Sequence, residues 1–384
     1  MKKSYLMIAA AAALFAACSS NDTFKNIETQ ESAITFNQAI SKTTRAAIYG
    51  STDALTLKAL ADEGGFVVYG YKTLDNWSTI AQDLFTVSGQ GTRVQSGDNG
   101  STWYYSPLRF WDKNGKYNFY AVAPYGPSDG ATYSINIASI TDSENADYSS
   151  TSPLNNKKFG FISITGAKSA KYTNSDDYLV ARGGAENQLG SNHVSNNTTV
   201  DFEFHHVMAK VDFKLKSTLT SGTIVVSGLK MVGWDNATSN FVQKTANTPN
   251  QLDKEEWTLG NTVVVTTNDA IATLIPSSTN NQETSISLTC GGDAMSLSDW
   301  YIMVPQSIQA NSLKFYVTYS YTSTDGNYSE TFTNQEATLT SAQTWGTDSH
   351  TTYTLDIKPN AITFDVTSVC GFCVSSTPAD IEVK

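Results

Sequence analysis

Basic residues are scarce. Lys and Arg total 25 against 36 Asp and Glu, a formal net charge of −11, so the chain has no electropositive footprint for nucleic acid. Histidine is scarcer, at four. His205 and His206 are adjacent, and neighbours on a strand point to opposite faces, so they cannot jointly hold a metal ion from one strand. Cysteine also numbers four, without a framework of pairs. Cys370-Gly371-Phe372-Cys373 has redox spacing, but a thioredoxin-type motif needs a helix N-terminus to lower the thiol pKa. Here a strand-like run precedes it and no helical pattern follows, and zinc would need a second cysteine pair. Cys290, Cys370 and Cys373 therefore read as structural or incidental. A Gly-x-Ser-x-Gly elbow and a Gly-rich phosphate loop are both missing. The carboxylates Asp142, Glu144, Asp176, Asp177, Glu255 and Glu256 fall in turn-like stretches, and no motif makes a glycosidase pair of any two. Asp325-Gly326-Asn327 reads as an ordinary turn rather than a calcium loop. No catalytic residue, metal or cofactor is expected. The chain also lacks a run of the about 20 apolar residues that a membrane-spanning helix needs.

What is present begins at the N-terminus. Met1-Lys2-Lys3 is a short positive segment, and Leu6 to Ala17 is apolar and uncharged. Ala16-Ala17-Cys18 closes it with small residues before a cysteine. Residues 1–17 thus read as a lipoprotein signal peptide and Cys18 as the lipid acceptor, with Phe15 where a leucine is usual. Beyond it, hydrophobic residues make up 40% and aromatic residues 11%, enough for a core, while charged residues reach only 16%. Low charge with many Thr, Tyr, Phe and Val suits half-buried strands.

The strands are legible by their period of two. Ala33 to Ile40 puts Ile34, Phe36 and Ile40 on one face. Thr56 to Glu63 is a candidate short helix ended by Gly64-Gly65. Gly65 to Tyr71 is a strand with Phe66 and Val68 opposite Val67 and Tyr69. Strand-like runs follow at Trp103–Tyr105, Tyr117–Ala123, Tyr178–Ala181 and Thr199–Leu215. Trp111, Phe119 and Tyr120 read as core. Lys314 to Tyr321, a turn at Asp325-Gly326-Asn327 and Tyr328 to Phe332 form a β-hairpin. Thr351–Ile357 and Ala361–Val369 are two further strands. Many short strands without long helical periodicity predict an all-β chain of β-sandwiches. Its length suggests two domains, and the Asn/Ser-rich stretch 188–198 a boundary near 198. One internal match stands out: Ala33-Ile34-Thr35-Phe36-Asn37 against Ala361-Ile362-Thr363-Phe364-Asp365, two segments that could fill the same groove.

Taken in order, several stretches resemble the Mfa-like branch of the fimbrillin family, pilus subunits of Bacteroidota. They are Gly65 to Tyr71, Pro107 to Trp111, Tyr117 to Pro124, Asp177 to Ala181, Phe202 to Val211, Ile302 to Gln306 and Ala361 to Val366. Each alone is loose; their order and spacing are specific. The resemblance implies two tandem transthyretin-like β-sandwich domains, expected at 46–198 and 199–384. It implies an outer-membrane lipoprotein precursor and a propeptide, 18–45, that carries an N-terminal strand. It further implies cleavage by a surface arginine-specific protease, then polymerisation by strand exchange with other fimbrial subunits. Arg45, before Ala46, is the matching arginine. Ile34, Phe36 and Ile40 then belong to the displaced strand, and Ile362, Phe364 and Val366 to the candidate donor strand. An adhesive role toward a host or bacterial receptor is compatible with this. The competing expectation is a monomeric glycan-binding surface lipoprotein that keeps its lipid.

Overall fold

A computed structural model describes residues 33–40, 58, 60–73, 82–87, 90–112, 115–139, 158–171, 177–183, 199–234, 239–243, 257–259, 271–275, 285–297, 300–359, 361–370 and 379–381. Its first third contains β1 (Thr35–Ile40), β2 (Phe66–Thr73), β3 (Gln82–Asp83), β4 (Thr86–Val87), β5 (Gln90–Val94), β6 (Lys116–Ala123) and β7 (Thr132–Ser139). The middle contains β8 (Lys158–Ala167), β9 (Ala170–Lys171), β10 (Leu179–Gly183), β11 (Thr199–His206), β12 (Ala209–Lys216), β13 (Thr223–Val232), β14 (Ser239–Gln243) and β15 (Trp257–Leu259). The last part contains β16 (Ile271–Ile275), β17 (Ile286–Thr289), β18 (Met295–Ser296), β19 (Tyr301–Met303), β20 (Gln306–Ile308) and β21 (Lys314–Thr322). It ends with β22 (Ser329–Thr338), β23 (Gln343–Trp345), β24 (Ser349–Lys358), β25 (Ala361–Cys370) and β26 (Ala379–Ile381). The chain is all-β, as its alternating pattern predicts.

The first large sheet runs β1-β11-β10-β6-β2-β5-β4, with β3 on β2. Both of its faces are covered, which is why β2 is hydrophobic at consecutive positions. Phe66 and Val68 enter a core with Ile34, Phe36, Phe119 and Phe202. Val67, Tyr69 and Tyr71 enter another with Tyr120 of the same sheet and with Ile162 and Ile164 of β8, whose sheet is β15-β14-β8-β7. In the second half, the sheet β26-β25-β24-β12-β19-β9 and the sheet β16-β13-β21-β22 share a third core around Phe213, Phe315, Trp345 and Tyr353.

The short helix before β2 is present at residue 58 and residues 60–62. It ends where the glycines put it. Gly64 and Gly65 have φ of 86° and 91°, and Gly65 N–H reaches the Leu60 carbonyl at 2.9 Å, closing a six-residue C-cap loop. A Cβ on Gly65 would meet the Val94 carbonyl oxygen at 2.0 Å, so the close approach of β5 also requires glycine.

Two expectations need correction. Thr199–Leu215 is not one strand. It breaks at Val207–Met208, where Val207 N–H donates to the Tyr178 carbonyl (2.9 Å) and the Met208 carbonyl accepts from Asp348 N–H (3.1 Å). Both residues are buried, so the hydrophobic run continues through a change of sheet. The division expected at 198/199 falls just before β11, yet β11 is hydrogen-bonded to β10 and β1 of the first sheet. A cut there would part β11 from its partners; the crossing to the second half comes at residues 207–208.

Candidate functional site: the groove around the first strand

Among the described residues, β1 stands at the end of the first sheet, paired with β11. The pairing is parallel, from Thr35↔Thr199 to Ile40↔Phe204. With its period of two, the strand sends Ile34 and Phe36 inward, fully and almost fully buried. Phe36 sits in a ring of aromatic side chains, at centroid distances of 5.4 Å from Phe85, 5.4 Å from Tyr105, 5.8 Å from Phe119 and 5.5 Å from Phe202. Such pairs stabilise beyond the area they bury.

The segment before β6 holds the start of β1 by its backbone. Ile34 N–H donates to the Arg109 carbonyl at 2.8 Å, and Ala33 bridges Phe110. The Tyr105 hydroxyl donates to the Ile34 carbonyl at 2.8 Å and accepts from Arg109 N–H at 3.2 Å. Burial pushes the Tyr105 phenol above its usual pKa, so it stays protonated and keeps this donor. Arg109 in turn donates from Nε to the Leu84 carbonyl at 2.8 Å. On the outer face, Thr35 Oγ1 lies 3.1 Å from Thr199 Oγ1, and the Asn37 amide donates to Asp201 Oδ1 at 3.1 Å. The result is a slot for one extended strand: an aromatic floor, backbone contacts indifferent to sequence, and two polar side-chain contacts at its lip.

Of the residues named from sequence, Ile34 and Phe36 are brought together here. Ile40 closes β1 and pairs with Phe204; its side chain, like Cys18, Arg45 and Ala46, lies outside the described residues. Ile362 and Val366 are buried in a different core, that of the second half. There β25 pairs antiparallel with β24 from Ser349↔Cys370 to Lys358↔Ala361, and with β26 on its other edge. Phe364 faces Leu355 and Ile381 by register, its side chain not described. Cys290 is a partly buried free thiol, Cys370 ends β25, and Cys373 lies outside the described residues. Asp325 closes the β21–β22 turn by accepting from Ser323 Oγ (2.6 Å) and Asn327 N–H (3.1 Å).

Sequence reasoning missed the buried charges. Asp177, read as a turn carboxylate, is fully buried, 3.0 Å from His206 Nδ1. Burial raises the Asp177 pKa, while His206 and Lys210 pull against it. Lys210, its own pKa lowered by burial, lies 4.6 Å over the Trp300 ring. His350 Nε2 and Asp212 form a second pair at 2.8 Å. Only the alternation at His205-His206, which sends one of the two inward, hinted at this. Among the described residues no group of three or more His, Cys, Asp or Glu could hold a metal ion.

The family model for fimbrillin-like proteins matches residues 52–300. Among solved structures, a fimbrial protein from Bacteroides vulgatus ATCC 8482 aligns with 89% of this chain and 99% of its own, at 20% identity and a TM-score of 0.58. It shares the fold. A fimbrial assembly protein from Parabacteroides distasonis ATCC 8503 aligns with 88% of this chain and 96% of its own, at 13% identity and a TM-score of 0.32. No curated protein matches the chain.

Proposed function

Because the chain belongs to the fimbrillin-like family, we propose that it is a structural subunit of a cell-surface fimbrium whose polymerisation is gated by β1. In this reading the precursor is exported, lipidated at Cys18 and tethered to the outer membrane. A surface protease then cuts the Arg45–Ala46 bond, β1 leaves, and the C-terminal strand of a neighbouring subunit takes its place by β-augmentation.

The observation that carries the reading is the position of β1. It lies at the end of its sheet, with Ile34 and Phe36 buried, and Arg45 follows its last residue by five positions. Cutting there would leave β1 held by non-covalent contacts alone. The other three arginines are poor protease sites. Arg93 lies in β5 and donates from Nε to the Gly64 carbonyl at 2.8 Å. The Arg109 carbonyl accepts from Ile34 N–H, and Arg182 lies in β10, paired with Tyr120 of β6.

Energetics supply the drive. Burying Ile34 and Phe36 is worth roughly 1.5–3 kcal/mol each. Losing both removes a large part of the about 5–15 kcal/mol that holds a typical domain, and it bares a sheet edge that templates another strand. Until then the groove is filled and the precursor stays monomeric. A neighbour's β25 must leave β24 and β26 to be donated, a cost that the vacated groove repays with the same alternating apolar residues.

The test is to cleave the purified precursor with an arginine-specific protease and follow its size. Polymers should form from the cut chain and not from Arg45→Ala. Ready polymerisation of Arg45→Ala would overturn the occupied-groove mechanism.

A further inference from the structure

The first strand and the candidate donor strand share Ala-Ile-Thr-Phe and part at the fifth residue, Asn37 in one and Asp365 in the other. The groove reads that position. In the parallel register Asn37 stands opposite Asp201, and its amide donates to Asp201 Oδ1 at 3.1 Å. Laid into the groove in the same direction and register, the sequence of β25 keeps the contacts of residues 34–36. Ile362 falls at Ile34, Phe364 at Phe36, and Thr363 opposite Thr199, the partner of Thr35. The Tyr105 hydroxyl meets a backbone carbonyl and is indifferent to the side chain. Among the described side-chain contacts of β1, Asp365 alone does not fit: it places a carboxylate against Asp201, where a hydrogen-bond donor had been. Like charges directly opposite across a strand pair are destabilising.

We propose that Asp201 makes the groove selective, and that the strand it prefers carries a hydrogen-bond donor, Asn, Lys or Arg, opposite it. The partner that fits is the terminal strand of a different subunit; a filament of this chain alone is the poorer assembly. The inference rests on the strand-exchange reading and adds to it the choice of partner. β1 itself, with Asn37, has the preferred residue, so the groove is held before cleavage by a better-matched strand than the chain's own C-terminus. The contrast is worth a factor of about two to ten in affinity, from one exposed hydrogen bond lost and one like-charge pair gained.

Substituting Asp365 in the whole chain would confuse the result, because in place it faces Asp380 across β26. Labelled peptides of residues 359–369 avoid this. They are added to protease-cleaved precursor at low salt, with Asp, Asn or Lys at position 365, beside a reference peptide of residues 32–41. Fluorescence polarisation reads the affinity. The Asp365→Asn and Asp365→Lys peptides should bind about two- to tenfold more tightly than the native peptide, with the Lys advantage shrinking at high salt. On an Asp201→Lys subunit the order should invert, the native Asp365 peptide binding best. Equal affinities for all three, or no inversion, overturn the selectivity and leave strand exchange standing. If no peptide binds, the reference included, strand exchange itself falls and the selectivity with it.

Discussion

Residues 33–36, which run into β1, and residues 361–364, which open β25, are the same four residues in opposite settings. β1 is a six-residue strand at the end of its sheet, paired in parallel with a segment 164 positions away. β25 is a ten-residue arm of an antiparallel hairpin, paired with β24 on one edge and β26 on the other. The shared sequence fixes which side chains point inward, and in both strands the isoleucine after the alanine is buried. It does not fix how firmly each strand is held. Antiparallel pairing across a short connection brings β25 to β24 at little entropic cost, whereas β1 must be brought to β11 over most of a domain. What holds β1 is its parallel ladder to β11, the aromatic ring around Phe36 and the backbone contacts of residues 33 and 34.

The largest effect on this contrast comes from Phe36→Ala. Removing a buried phenylalanine costs about 3–5 kcal/mol. In urea the uncut precursor should lose about that much stability, and it should form oligomers without cleavage. A loss below about 1 kcal/mol would show that the aromatic slot does not hold β1. Ile362→Ala should cost somewhat less, about 2–4 kcal/mol, because isoleucine is the smaller of two similarly buried side chains. The uncut chain should nevertheless stay monomeric, with β1 in place by hydrogen exchange; loosening of β1 in this variant would break the distinction between the strands. Tyr105→Phe removes the hydroxyl that donates to the Ile34 carbonyl and should cost about 1–2 kcal/mol. Since that contact is to backbone, the native β1 peptide and a C-terminal-strand peptide should weaken by the same factor.

The smallest effect is electrostatic and lies in the turn that leads to Tyr105. Hydrogen bonds from the Thr102 hydroxyl, the Thr102 N–H and the Ser96 hydroxyl hold the Asp98 carboxyl down at about 2. A depressed carboxyl stabilises the fold above the unfolded value of about 3.9, and that contribution is lost as pH falls toward the folded value. The turn at residues 96–102 should therefore loosen between about pH 4 and pH 2. An NMR titration of the Asp98 carboxyl with a midpoint near 4 would remove this part of the account.

Much of the fold was legible because strands declare their faces locally. Gly65 to Tyr71, Lys314 to Phe332 and Ala361 to Val369 all fall where alternation and turn residues put them. The slot around Phe36 was half legible: the inward face of β1 could be read, but not Tyr105, Phe85 or Phe202 as its walls. Of the Asp177–His206 pair only the inward turn of one of the two adjacent histidines was legible. Its members lie 29 positions apart, and Asp177 alone resembles an exposed turn residue.

By itself the sequence determined an all-β chain, the inward faces of its strands and the repeated Ala-Ile-Thr-Phe. These depend on the period of two and on turn chemistry, both local. Only the tertiary structure decided that one copy becomes a parallel strand at a sheet's end and the other a hairpin arm, that β11 joins the first sheet, and that Asn37 meets Asp201. Each of these is a pairing between distant segments, and a local pattern says which way a side chain faces without saying what it will face.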